Sequence, residues 1–242
     1  MVNLIDAHCH LNDERIFAEI PEALELGISG FISSALCKEE YDWHIQNDIP
    51  EMKWCAGIHP YYEKSKESDL ERIIQLCEEK KIVGIGEIGL DGRNDNEDWQ
   101  TKILLQQLDI ARNFDLPVVF HTVRKYNELY KILKNNFPKV KGYLHGFNAS
   151  KDIVEIFTKF DLAFSLGCKP PKDDCVNHII KRGFFLFETD APYQKPHDSK
   201  DEYNHLKNLL LNVENISAVS GINVAKLTEF QYKSYVSLFQ LN

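Results

Sequence analysis

Eight short apolar segments recur along the 242-residue chain, separated by segments whose apolar residues have helical spacing. The apolar segments begin roughly 20 to 35 residues apart, which is the length of a strand–helix unit. Their apolar residues are nearly continuous, as is typical of parallel strands covered on both faces. The pattern predicts strands over residues 4–10, 29–35, 53–59, 82–90, 117–122, 141–147, 162–167 and 184–190.

The intervening segments predict helices. Residues 70–77 have apolar side chains at helical spacing, behind a possible capping box from Ser68 to Glu71. A longer helix is predicted from Trp99 to about Asp115, before Pro117. Further helices are predicted at 126–133, 153–160, 203–213 and 224–239. Because this alternation has no linker, we expect residues 1–242 to form one α/β domain, a (β/α)8 TIM barrel with its chemistry at the C-terminal strand ends.

Composition narrows the class of protein. The chain is 43% hydrophobic and 27% charged, as ordinary globular proteins are. It contains no apolar run of the roughly 18 residues that span a bilayer, and no signal-peptide pattern, so we expect a cytoplasmic protein without membrane contact. The six cysteines include no CxxC pair and are predicted to be free thiols. The net charge of −9 disfavours extended binding to duplex DNA, although bound cations can attract phosphate locally.

Ionisable side chains lie at the ends of five predicted strands. Each alone could be a hydrogen-bonded histidine or a helix N-cap. Together, four histidines and two carboxylates on one rim are costly without a compensating cation. The sequence therefore predicts a metal site with the ligands His8, His10, Glu87, His121, His145 and Asp190.

Strand alternation refines the first of these segments. It places Asp6 on the face of His8 and His10, and places Ala7 and Cys9 on the other, which excludes Cys9 as a ligand. Asp6 is either a partner that fixes an imidazole tautomer or a structural group. His59 is either a site residue or part of a rim turn. The remaining histidines are expected on the solvated surface: His44, His178, His197 and His205.

Several motifs together resemble the TatD family of metal-dependent deoxyribonucleases, which belongs to the amidohydrolase-like barrels. They are DAHCHL, GIHP, GEIGLD, the helix with Gln100 and Gln107, LPVVFHTVR, LHGF and ETDAPY, collinear from residue 4 to about 196. The resemblance implies that His8 and His10 bind one metal and that His121 and His145 bind a second. It further implies that Glu87 bridges the two and that Asp190 completes the first site. The implied activity is Mg- or Mn-supported 3'-5' exonuclease cleavage of single-stranded DNA, and the ligand types also admit Zn.

The hypothesis for mechanism follows from two-metal chemistry, in which ions about 3.5–4 Å apart activate water and stabilise both oxygens of an in-line displacement. Asp190 is the candidate proton acceptor, with Glu87 as the second catalytic carboxylate. Arg124, three residues past His121, is a candidate phosphate contact, and His59 is a second substrate-binding candidate. The expected partner is DNA, single-stranded or at its ends, with no obligate protein partner.

The chain departs from the family pattern in two places. Gly92-Arg93-Asn94 follows GEIGLD where the family often has aromatic residues, and the segment after Tyr193 lacks the usual Arg and Asn-x-Pro. Two alternatives stay open: an amidohydrolase-like enzyme acting on an amide, lactone or phosphotriester, and a non-enzymatic metal-binding protein. Glu87, where many such barrels carry a carboxylated lysine, favours the nuclease. Six ligands without a cysteine argue against a closed structural zinc site.

Overall fold

A computed structural model describes residues 3–240, which form one eight-stranded parallel sheet in sequential strand order. Backbone hydrogen bonds of 2.8 Å, from Asp190 N to His8 O and from His10 N to Ala191 O, join the segment after the last strand to the first. The predicted (β/α)8 barrel is therefore confirmed. Its strands are β1 (Leu4–Cys9), β2 (Ile28–Ala35), β3 (Met52–Ala56), β4 (Gly84–Asp91), β5 (Val118–Val123), β6 (Lys141–Leu144), β7 (Asp161–Leu166) and β8 (Phe185–Phe187).

Helices follow the strands along the chain. The predicted helices at 70–77, 99–115, 126–133, 153–160 and 224–239 are present, and shorter ones surround β2 and follow β7. The helices are α1 (Glu14–Phe17), α2 (Ile20–Glu25), α3 (Lys38–Gln46), α4 (Leu70–Glu78), α5 (Glu97–Phe114), α6 (Tyr126–Asn136), α7 (Lys151–Phe157), α8 (Asp173–Arg182), α9 (Asn208–Ser220) and α10 (Val224–Phe239).

One predicted helix start and one predicted helix cap are wrong. The helix expected from residue 203 begins at Asn208, because the amide of Asn204 donates to Thr189 O at 2.6 Å and holds the preceding segment against the barrel rim. The expected capping box at Ser68 does not form, since Ser68 lies in a 3-10 turn. Asp69 instead accepts a hydrogen bond from Lys66 N at 3.3 Å, which caps the start of that turn, and α4 begins directly after it at Leu70.

The barrel interior is filled by apolar side chains from seven strands, and the phenol of Tyr143 on β6 donates across it to Ala7 O at 2.6 Å. Ala7 packs in this inner cluster, whereas Cys9 packs in the layer between strands and helices. The prediction that Ala7 and Cys9 share a face is wrong, because the β1–β2 register shifts between Asp6 and Cys9. The predicted outward position of Cys9 is confirmed. All six cysteines are free.

Helix α10 covers the N-terminal end of the barrel. The Gln231 side chain bonds both the N and the O of Ile5, at 3.4 and 2.9 Å, and the Ser234 hydroxyl accepts from Phe185 N at 3.2 Å. Tyr235 and Phe239 pack on the inner cluster. The open end is therefore the C-terminal end of the strands. Across residues 3–240, the helices are all too short or too polar to cross a bilayer.

Candidate metal centre

The six predicted ligands converge at the C-terminal end of the barrel, and each is at least nine-tenths buried. Glu87 lies at their centre. Its Oε2 is 3.3 Å from His8 Nε2 and 3.9 Å from His10 Nε2. Its Oε1 is 2.7 Å from His121 Nδ1 and 2.6 Å from His145 Nε2. The two oxygens of one carboxylate therefore face two different histidine pairs.

Asp190 lies on the side of the first pair. Its Oδ1 is 3.5 Å from His8 Nε2 and 3.4 Å from His10 Nε2, while its Oδ2 accepts a 2.6 Å hydrogen bond from the Gln194 amide. The side-chain amide of Gln194 packs on Gly146, where an added Cβ would lie 2.7 Å from Gln194 Nε2. Gln194 thus fixes which carboxylate oxygen faces the imidazoles.

The position of Glu87 depends on an irregularity between β4 and β5. Gly86 pairs with Val119 and Ile88 pairs with Phe120, which leaves Glu87 without a partner residue on β5. Gly89 has a φ of +155°, and a Cβ there would overlap the carbonyl oxygen of His121. Because only glycine allows this approach, β4 can bring Glu87 directly beside His121.

Polar groups behind the imidazoles orient the first pair. The Ser34 hydroxyl is 3.2 Å from His8 Nδ1, and the Ser34 carbonyl accepts from His10 Nδ1 at 3.1 Å. Since a carbonyl only accepts, His10 carries a proton on Nδ1, and its Nε2 faces Asp190. One residue of β2 thereby orients two candidate ligands. Sequence reasoning assigned no role to Ser34, which has no sequence signal of its own.

Two carboxylates stand behind the second pair. Asp91 Oδ2 accepts from His121 Nε2 at 2.8 Å, which leaves Nδ1 directed at Glu87. Glu188 Oε1 is 3.7 Å from His145 Nδ1 and accepts from Gly146 N. Sequence reasoning gave these carboxylates no role, although both lie within motifs, GEIGLD and ETDAPY, at strand ends. Their positions in these motifs could have identified Asp91 and Glu188 as partners of the histidines.

Asp6 is a structural group. Its carboxylate accepts from Thr189 N at 3.0 Å, from the Thr189 hydroxyl at 2.6 Å and from His8 N at 3.3 Å, and it bonds no imidazole. Of its two possible roles, the tautomer-fixing one is therefore wrong. Complete burial raises the pKa of Asp6 to about 7 despite these bonds. Asp6 joins β1 to the loop that carries Asp190.

His59 lies beside the centre but differs from the candidate ligands. Its Nδ1 accepts from the backbone N of Tyr61 and of Tyr62, at 2.9 Å each. The proton of a neutral ring must then be on Nε2, which is 3.3 Å from Glu87 Oε1. Although His59, Glu87 and His121 bring three ligand atoms within 4.8 Å, this tautomer makes His59 a hydrogen-bond donor and excludes it as a ligand.

The carboxylates and imidazoles of the site shift one another's pKa values. Burial alone would raise the pKa of Glu87, but the surrounding imidazoles, chiefly His145, outweigh it and hold that pKa well below its usual range. Burial likewise opposes ionisation of Asp190, whose pKa is nevertheless lowered by the hydrogen bond with His10. Both carboxylates are therefore ionised at neutral pH. Burial lowers and the neighbouring carboxylates raise the pKa of His145, and the carboxylates prevail.

Arg124, the predicted phosphate contact, lies apart from the candidate ligands. It is exposed at the end of β5, with a φ of +59°, and does not line the central cleft. His44, expected on the solvated surface, is buried: it bonds Glu40 O and the Ser33 hydroxyl and stacks on Trp54. That prediction is wrong because α3 turns this side chain onto β2.

The remaining three histidines lie outside the cleft. His197 is exposed, as predicted. His178 and His205 are half-buried beside Glu155 and Glu19, at 2.9 and 2.6 Å, so the predicted surface position holds only in part for both. None of the three is among the clustered metal-ligand atoms of the described chain.

The centre lies at the base of an open cleft of about 1060 Å³. Tyr61 and Tyr193, 49% and 54% exposed, stand at its walls, and the Tyr193 ring meets the His10 ring edge to face at 5.1 Å. Such exposed aromatic faces at the mouth of a polar cleft suit stacking with planar groups of a ligand.

The donor set fits divalent metal ions. His8, His10 and Glu87 bring ligand atoms within 4.8 Å of one another, as do His8, His145 and Asp190. His8 Nε2 is fully buried and has no hydrogen-bond partner in the described chain, which is costly for a polar atom unless a ligand meets it. Imidazole and carboxylate donors together suit zinc, manganese or iron, and carboxylates suit magnesium.

Comparisons with known proteins agree with this architecture. The chain is 26% identical to the uncharacterized metal-dependent hydrolase YabD of Bacillus subtilis, over 99% of this chain and 100% of that protein. It is 22% identical to the human deoxyribonuclease TATDN3, over 98% and 95% respectively. The crystal structure of YjjV, a TatD homologue of Escherichia coli, superposes with a TM-score of 0.90 at 24% identity, covering 100% of this chain and 99% of that one.

A sequence profile described as "TatD related DNase" matches residues 5–240, which is nearly the whole chain. The match includes both ends of the barrel and every strand that supplies a residue to the centre. The chain therefore belongs to the TatD-related DNase family.

Proposed function

We propose that this protein is a metal-dependent phosphodiesterase, and that it cleaves single-stranded DNA from its 3' end. As a family member the chain is a metal-dependent hydrolase that acts on ester bonds. The observation that carries the finer proposal is the placement of Glu87, whose two oxygens face separate histidine pairs. We place the activity in the cytoplasm, in one domain spanning residues 1–242, without an obligate protein partner.

The proposed ligand sets follow these distances. His8, His10 and Asp190 would hold one divalent ion, His121 and His145 the other, and Glu87 both. When bound, such a pair supplies Lewis-acid activation of water and stabilises charge on the phosphate oxygens. We propose Mg²⁺ or Mn²⁺ as the activating ions, with Zn²⁺ as a further ion that the donors accept.

Asp190 is the proposed proton acceptor. Its low pKa keeps it ionised, and Gln194 occupies Oδ2, so Oδ1 is the oxygen directed into the centre. An ionised, oriented carboxylate next to the attacking water is the arrangement that general-base catalysis needs.

His59 and Arg124 are the proposed substrate contacts. Burial and the neighbouring His121 lower the pKa of His59 to about 4, so the ring is neutral and presents its Nε2 proton to the centre. A neutral donor there can bond a phosphate oxygen. Arg124 stands at the end of β5, where it can reach a phosphate outside the cleft.

The test is a substrate screen on metal-stripped protein with Mg²⁺, Mn²⁺ or Zn²⁺ added back. Labelled single-stranded DNA, RNA, bis(p-nitrophenyl) phosphate, amides and lactones are compared. Hydrolysis of phosphodiesters with shortening of DNA from the 3' end is expected. D190N is expected to lose this activity, and D198N, which alters a fully exposed aspartate, to retain it. Hydrolysis confined to amides or lactones contradicts the proposal.

A further inference from the structure

Among the residues of the described range 3–240 that line the cleft, Arg93, in the loop after β4, is the only lysine or arginine. The other charged side chains lining it, apart from histidines, are acidic: Glu63, Glu87, Asp95 and Asp190. Two of these belong to the proposed metal centre, which would neutralise them. A phosphate that lies in the cleft away from the centre can therefore pair with one permanently charged cationic side chain, that of Arg93.

Arg93 is held in place from one side. Its Nε lies 2.9 and 3.1 Å from the two carboxylate oxygens of Asp91, and its Nη2 also donates to Asp91 Oδ2. The same Oδ2 accepts from His121 Nε2. The guanidinium is therefore separated from a candidate metal ligand by a single carboxylate oxygen, so it lies next to the centre.

The Nη1 group of the guanidinium makes no hydrogen bond within residues 3–240. The guanidinium Cζ lies over the Tyr61 ring, 4.5 Å from the ring centroid. The Arg93 side chain is 47% exposed, whereas that of Asp91 is fully buried. Within residues 3–240 the side-chain hydrogen bonds of Arg93 all go to Asp91 and use only Nε and Nη2. The ring contact and the bidentate contact thus hold the guanidinium at the wall of the cleft, with N–H groups left over to bind a ligand.

We propose that Arg93, stacked on Tyr61, forms a subsite for the phosphate adjacent to the scissile one, so that the enzyme prefers substrates with a second phosphate. This inference rests on the proposed phosphodiesterase function. Tyr61 provides an aromatic face beside the subsite on which the intervening base can stack.

A purely structural role is the competing explanation, since Arg93 also neutralises buried Asp91. The two roles differ in their dependence on substrate. If Arg93 acts only through Asp91 and His121, its loss impairs every phosphodiester equally. If it binds a second phosphate, its loss impairs only the substrate that has one.

The experiment compares the thymidine dinucleotide TpT, which has one phosphate, with the trinucleotide TpTpT, which has two. The wild-type protein is expected to prefer TpTpT in kcat/KM. R93Q should reduce this preference by about tenfold, the value of one charge-assisted hydrogen bond, through KM more than kcat. R93K, which keeps the charge without the planar fork, should retain part of it. The slope of log KM for TpTpT against log salt should decrease by about 0.7 in R93Q.

R112Q is the matched control. Arg112 is an exposed arginine on α5 that also pairs with a carboxylate, Asp109, and lies over an aromatic ring, but it is outside the cleft. The R112Q substitution should leave the preference for TpTpT over TpT unchanged. Equal losses on TpT and TpTpT in R93Q, or an unchanged preference in both Arg93 variants, overturn the subsite. If the wild-type protein cleaves neither compound, the proposed phosphodiesterase function is wrong, and so is the subsite.

Discussion

At the scale of single residues, Glu87 unites the site because its two oxygens face opposite histidine pairs at 2.6 to 3.9 Å. It is also nearly inaccessible, at 3% exposure. Removal of the Glu87 carboxylate leaves the buried imidazoles without the anion that they share. Each imidazole then binds a proton less readily.

E87A is therefore expected to abolish hydrolysis and to bind less than half of the metal held by the wild-type protein while it stays folded. Metal content by mass spectrometry, activity and circular dichroism check this. E155A, which removes an exposed carboxylate paired with His178, is the control and should change none of the three. Normal activity in E87A contradicts the bridging role.

His44 is a buried histidine outside the centre that makes stability depend on pH. Burial, chiefly, lowers its pKa from 6.5 to about 4. The unfolded chain then binds a proton more readily than the folded one, so stability is lost as pH falls from 6.5 to 4. The loss amounts to about 3 kcal/mol in total.

H44Q should remove this contribution. The difference in unfolding free energy between wild-type protein and H44Q, from urea titrations, is expected to shift by about 3 kcal/mol against the wild type between pH 7 and pH 4. H197Q, at an exposed histidine, is expected to follow the wild-type curve. Parallel curves for wild type and H44Q would show that His44 titrates normally.

At the scale of elements, glutamine side chains on helices form hydrogen bonds with backbone groups at the ends of strands. On α5, Gln107 accepts from Ile58 N at 2.6 Å and donates to Ile58 O at 3.1 Å, and Gln100 makes the same pair of bonds with Asp91. On α10, Gln231 does so with Ile5 at the opposite end of the barrel. Only the α5 pair adjoins His59 and the cleft.

Q107L and Q231L form a matched pair, since both glutamines are fully buried. Each substitution leaves one buried N–H and one buried C=O without partners and should destabilise the fold by about 2–4 kcal/mol. Only Q107L should also lower kcat/KM, because the residue after Ile58 is His59. Thermal unfolding and steady-state kinetics separate the two effects, and equal activity losses in both variants would contradict this division.

At the scale of the whole molecule, the centre joins side chains from β1, β4 and β5 and from the segments directly after β1, β6 and β8. A metal ion held by these side chains would connect distant parts of the barrel and would thereby stabilise the folded state. The expected stabilisation by such a ligand is about 3 kcal/mol at a hundredfold excess over Kd.

Chelation should therefore lower the Tm as well as abolish hydrolysis, and Mg²⁺ or Mn²⁺ should restore both. Differential scanning calorimetry with and without chelator gives the first value and the DNA assay the second. H197Q, which leaves the centre intact, should respond as the wild type does. Full activity in excess chelator contradicts metal dependence.

Much of this molecule was predictable from local pattern. Continuous apolar segments predicted all eight strands. The polar residues that close five of them predicted the cluster of candidate ligands, because parallel strands of a barrel end on one rim. Periodicity could not predict the bulge in β1, which places Ala7 and Cys9 in different layers, since a register shift depends on pairing with β2.

The sequence by itself determined the barrel, its open end and the residues that gather there, since these follow from hydrophobic spacing and residue type. Only the tertiary structure decided which nitrogen of each imidazole faces the centre, because Ser34 and Asp91, distant in sequence, supply the hydrogen bonds that fix it. Burial of His44 and the structural role of Asp6 were decided in the same way, by partners on neighbouring elements that no local pattern specifies.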